Sequence, residues 1–187
     1  MNSPIKYILV TLLFISIASS VSAQKVFLAT GGMAYFFSAT PLENIEAKSQ
    51  SLTSVLTTGS NKILFNIPLR TFKFDKSLME EHFNEKYVES EKYPKASFKG
   101  VINETIDWSR DTVLTVTATG TFDLHGVTKE TTEKGTLKIT GDKINLVVAF
   151  DITLADYKIR IPKVVTTNIA EVIRVNIECD FIPYVKK

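Results

Sequence analysis

The sequence is poor in the residues that build covalent or metal-based scaffolds. In 187 residues there is one cysteine, Cys179, and there are two histidines, His82 and His125. A lone cysteine excludes an intrachain disulfide, and one thiol with two imidazoles cannot complete a four-ligand zinc site of Cys and His alone. The HxxxH and HExxH spacings that put metal ligands on one helix face are absent, as is the Gly-x-Ser-x-Gly turn of a serine hydrolase. Neither sign of charge prevails, with 22 Lys and Arg against 20 Asp and Glu, so the basic footprint of a nucleic-acid binder is missing. There is also no long apolar run. The longest, Tyr7 to Ile17, has about 11 residues where a membrane-spanning helix needs roughly 20.

What is present is an ordinary globular balance, 44% hydrophobic and 22% charged, with eight Gly and six Pro and no low-complexity tract. The first 23 residues run from Lys6 through that apolar stretch to the small residues Val21-Ser22-Ala23, the order of a removable export signal cleaved after Ala23. Cleavage leaves residues 24–187 as one domain, in a periplasmic or secreted setting that suits a single unpaired thiol. Acylation at the cleavage point is excluded, because the only cysteine is far downstream.

Period-two alternation dominates the mature chain. Leu114, Val116, Ala118, Gly120, Phe122 and Leu124 alternate with threonines and Asp123, and Ile144 to Leu154 and Ile173 to Phe181 repeat the pattern. Shorter strands are predicted over 25–30, 33–38, 44–48, 62–68, 95–106 and 127–139, giving eight or nine strands in an antiparallel barrel or sandwich. One helix is predicted over 76–86, capped by Asp75, as a lid or plug. Inward positions mix Phe98, Phe122 and Phe150 with Ala96, Ala118 and Gly120. Such a mixture suits either an interior left partly empty or the taper of a solid barrel.

Two segments carry a family resemblance. Phe72-Lys73-Phe74-Asp75-Lys76-Ser77-Leu78-Met79-Glu80-Glu81-His82-Phe83, followed by Glu91-Lys92-Tyr93-Pro94-Lys95-Ala96-Ser97-Phe98-Lys99-Gly100, resembles the YceI-like family of bacterial polyisoprenoid-binding proteins. Gly120-Thr121-Phe122-Asp123-Leu124-His125-Gly126-Val127-Thr128-Lys129 is similar to that family's second signature. The resemblance implies an all-β, antiparallel, lipocalin-like barrel of about eight strands with a short helix near its mouth. It further implies an apolar cavity for an isoprenoid chain, with no cofactor chemistry of its own; the missing ligand spacings and the apolar inward face lead to the expectation of no metal and no catalysis. Departures at residues 78–82 and at Glu130 leave the head group open, among them a quinone, a polyprenyl phosphate or a fatty acid.

Alternation and resemblance together nominate an inner face. Its members are Phe65 and Ile67, then Phe98 and Ile102, then Leu114, Val116 and Phe122, then Leu146, Val148 and Phe150, and finally Val175 and Ile177. Met79, His82, Phe83 and Tyr87 are the candidates for the entrance. His82 either meets the polar end of a ligand or fixes the helix to the body, and His125 either bonds the local backbone in a turn or contacts ligand. Transient contact with a membrane surface and pairing into a homodimer are both compatible with the sequence. A lipid-modifying enzyme would need a polar constellation inside the barrel, and an envelope interaction module would have a solid interior.

Overall fold

The computed structural model describes residues 25–162 and 168–185. The expected export signal and its cleavage point lie outside the described residues. Nine strands run in chain order as β1 (Val26–Ala39), β2 (Asn44–Thr57), β3 (Lys62–Pro68), β4 (Lys73–Phe74), β5 (Lys95–Ile102), β6 (Thr112–Leu124), β7 (Val127–Thr140), β8 (Lys143–Thr153) and β9 (Val172–Pro183). All pairings are antiparallel, in the order β1-β9-β8-β7-β6-β5-β3-β2, and β2 returns to β1. Eight strands thus close into a barrel, and the two-residue β4 adds to β2 at one end. The barrel is the all-β architecture that alternation and resemblance predict.

Three predicted boundaries change. The stretches 25–30 and 33–38 are one strand, because Gly31, at φ +78°, opens a bulge that bends β1 without ending it. β2 continues nine residues past Lys48, where its apolar partners are spaced by serines and threonines that a hydropathy pattern reads as loop. β5 stops at Ile102 rather than Ile106.

The helix is shorter than predicted. α1 covers Ser77–His82 and passes into a π-type turn over Phe83–Tyr87, closed by Val88 N–H donating to Phe83 O at 2.9 Å. Its N-cap is Lys76, and no side chain caps it, so the predicted Asp75 cap is not formed. Tertiary packing holds this element instead of capping. Phe83 stacks on Phe36 with centroids 5.6 Å apart and also meets Phe72 and Phe74 at 5.7 and 5.1 Å.

The β6–β7 turn is set by local geometry. His125 and Gly126 both have positive φ, 54° and 69°, as a two-residue turn matching strand twist requires. His125 Nδ1–H donates to Tyr157 O at 2.9 Å, and Nε2 lies 2.8 Å from Glu89 Oε2. One bond ties the turn to the chain that follows β8, the other to the chain between the π-type turn and β5.

The two ends of the barrel differ. Away from α1, Leu52, Leu56, Leu137, Cys179 and Phe181 are wholly buried in a packed core. Towards α1 the strands diverge. The β7–β8 ladder ends at Gly135 and Val148, so Val127–Lys134 of β7 pairs only with β6, and Ala149–Thr153 of β8 only with β9. The chain just after β8, Leu154–Tyr157, fills that parting with the buried ring of Tyr157, and Lys129 pairs with Asp156 at 2.9 Å across it.

Candidate functional site

Strand divergence at the α1 end leaves space that the inward side chains do not fill. A cavity of about 370 Å³ lies beneath α1, and a smaller one of about 70 Å³ lies further along the axis. The strand ends supply the walls of the larger one, for example Phe36 from β1, Ile45 from β2, Ile67 from β3, Phe122 from β6, Phe150 from β8 and Val175 from β9. Met79, His82, Phe83 and Tyr87, the residues nominated for the entrance, line it from the helical segment.

The structure brings most of the nominated inner face to these two spaces. Ile67, Phe122, Phe150 and Ile177 border both, and Val175 borders the larger alone. Phe65, Phe98, Ile102, Val116, Leu146 and Val148 border only the smaller. Leu114 borders neither; it stands opposite Leu137 in the packed half and packs, partly buried, against the core. Alternation places it on the correct face but says nothing of its height along the axis.

Other wall residues escape the sequence reading. Phe36, Phe72 and Phe74 join Phe83 in one aromatic cluster that seats the lid. Their signal was the Tyr35-Phe36-Phe37 and Phe72-Lys73-Phe74 runs; which member of the first faces inward is set by the bulged register of β1, and of the second by β4 pairing with β2. Ile152, Leu154, Ile159, Ile169 and Ile173 also line the cavity, from strand ends and the segments beyond them.

Polar groups gather at the rim. Glu43 accepts from Lys76 Nζ at 2.8 Å and from Asn168 Nδ2 at 3.2 Å, and these two donors hold its carboxyl below the usual glutamate range. Ser38 Oγ accepts from Ala170 N–H at 2.9 Å. Glu43 therefore joins the residue before α1 to the chain before β9. His82 lines the cavity, and its ring makes no hydrogen bond among the described residues. The helix is fixed by Phe83, which leaves the imidazole to face the space. Burial pushes the Tyr87 phenol up, and its side chain lines the cavity.

His125 meets a carboxylate, but not inside the barrel. Glu89 is half exposed, His125 borders neither cavity, and both ring nitrogens are committed, one to Tyr157 O and one to Glu89. The arrangement secures a turn and leaves no nitrogen to serve as a base. Among the described residues no three Cys, His, Asp or Glu side chains converge on one point.

A closed antiparallel barrel with a helix over one open, apolar end defines a small-molecule-cavity barrel of the lipocalin-like kind. The YceI-like domain family matches residues 23–181, and the chain belongs to that family. Among solved structures, a polyisoprenoid binding domain from Saccharophagus degradans, implicated in plant cell wall breakdown, is similar at 15% identity. The match has a TM-score of 0.71 and covers 85% of this chain and 98% of that one. BcnA of Burkholderia cenocepacia is similar at 11% identity and TM-score 0.67, over 80% and 95% of the two chains. A Campylobacter jejuni YceI protein is similar at 18% identity and TM-score 0.59, over 75% and 85%. Comparison with curated proteins returns no match.

Proposed function

We propose that this chain is an exported, non-catalytic protein that holds an isoprenoid-type or other long-chain lipid in its barrel and carries or buffers it through water. The observation that carries this reading is the cavity of about 370 Å³ beneath α1, walled by aliphatic and aromatic side chains and polar only at its rim. A space of that size and character suits a hydrocarbon tail with its head at the mouth. The polyisoprenoid-binding description of the Saccharophagus degradans domain supports the same reading by analogy of fold.

Energetics favour a carrier over a permanent sink. Burying one methylene from water is worth roughly 0.8 kcal/mol, so the tail does not escape into solvent. A bilayer interior is as apolar as this cavity, and exchange with it is nearly balanced. Leu42 and Leu78 are exposed beside the rim residues Glu43 and Met79, and they suit brief seating of the mouth on a membrane. Export rests on the sequence of residues 1–23, and N-terminal sequencing of the mature protein checks cleavage after Ala23.

Native mass spectrometry of protein purified from its own cell envelope tests the whole reading. A copurifying lipid mass, or uptake of added polyprenyl lipids, is the expected result. Empty protein that also takes up none of them overturns it.

A further inference from the structure

Ile67, Ala96, Phe122, Phe150 and Ile177 line both the outer cavity and the inner one, so together they form the partition between the two. Its bulk is the Phe122–Phe150 pair, edge to face with centroids 5.8 Å apart. Both rings are only half-buried. Phe122 leans on Tyr157 at 5.5 Å, and Phe150 stands two residues beyond Val148, where β8 has left its ladder with β7. The partition therefore crosses the barrel at the level where its wall parts.

Volume decides what the partition does. An engineered cavity of about 150 Å³ takes the six carbons of benzene, about 25 Å³ per carbon. On that scale the outer cavity of about 370 Å³ takes roughly 15 carbons, or three isoprene units. The inner cavity of about 70 Å³ takes roughly three carbons, less than one unit. A chain entering beneath α1 meets the two rings once about three units are inside, with a remnant of space behind them that is too small to use alone.

We infer that the Phe122–Phe150 pair is the residue set that determines chain length, a stop that limits the hydrocarbon this barrel buries to about three isoprene units. The inference rests on the carrier reading above and adds to it the length of tail preferred. Truncating either ring to alanine removes a benzene-sized group and merges the spaces into about 590 Å³, room for roughly 24 carbons or nearly five units.

The test is competition from a bilayer. Phosphatidylcholine vesicles carrying equimolar all-trans prenols of two, three, four and five units are incubated with the protein, and the captured prenols are counted by native mass spectrometry. A unit that does not fit must leave the bilayer for water, at a penalty on the order of a hundredfold or more in occupancy. The captured population of the wild-type protein is expected to peak at three units. Phe150→Ala and, independently, Phe122→Ala should move the peak towards five. Ala118→Phe, which refills the inner space from its own wall, should return the Phe150→Ala peak towards three. If Phe150→Ala does not fold, Phe150→Leu removes less and should peak at four. A peak that stays in place in the ring variants, or a wild-type peak already at five, overturns the stop and leaves the carrier reading standing. Capture of no prenol by the wild-type protein overturns both.

Discussion

Glu43 is the residue on which the rim turns, because one carboxylate accepts from both Lys76 and Asn168. Those donors lower its pKa, so the bonds hold at and above the ordinary glutamate value of about 4.3 and are lost as pH falls through the lower native value. Lipid exchange by the wild-type protein should therefore quicken a few-fold on acidification below about pH 4. Glu43→Gln should exchange at the faster rate throughout and lose that pH dependence, as stopped-flow transfer of a fluorescent lipid analogue would record. Cys179 sits at the opposite pole. Burial, with Asp180 and Glu178 on either side, pushes its thiol up to about 12, which keeps it protonated and inert at physiological pH. A disulfide reagent at pH 8 should label the native protein roughly a thousandfold more slowly than the unfolded chain, at the rate at which the core opens. Both residues were visible in the sequence, but only Cys179 declared its setting there. Its place in an alternating strand predicts burial, whereas the role of Glu43 depends on partners 33 and 125 residues away.

Among the elements, the lid is the one held least by its own sequence. α1 has six residues, too few to be stable alone, and it lacks a side-chain cap. The Phe83 ring among Phe36, Phe72 and Phe74 substitutes for both. Phe83→Ala should cost about 2 kcal/mol in urea unfolding, the low side for such a truncation because the ring is half-buried, and should speed lipid exchange. Strands β6, β8 and β9 were legible because their inward residues are uniformly apolar. β7 was legible only as a strand, since Lys129, Thr131 and Glu133 occupy inward-phase positions where the wall has parted, and Thr131 donates to Glu133 beside the inner cavity. The helix was legible as an amphipathic run, but its end at His82 was not. The π-type turn that follows answers to the aromatic cluster, which assembles from segments that only closure of the barrel brings together.

For the molecule as a whole, alternation allowed either a hollow or a solid interior, and the structure contains both, one at each end. The difference is testable with a single side chain. Val175→Trp projects into the outer cavity and should abolish lipid uptake with little change in melting temperature. Val116→Trp meets only the inner space of about 70 Å³, too small for an indole, and with Val116 3% exposed the overpacking should cost about 1 to 3 kcal/mol. Sequence could not separate these two valines, because it reports which side of the sheet a residue takes and not how the strands spread above it. The parting of β7 from β8 carries one more consequence. At the level of the outer space the cross-section is a split collar: the rungs between β7 and β8 have ended, and the plug that Tyr157 supplies stands in their place. Such a collar can widen its bore by letting that plug slide, without breaking any rung of the hoop, and so admit a tail bulkier than the resting diameter allows.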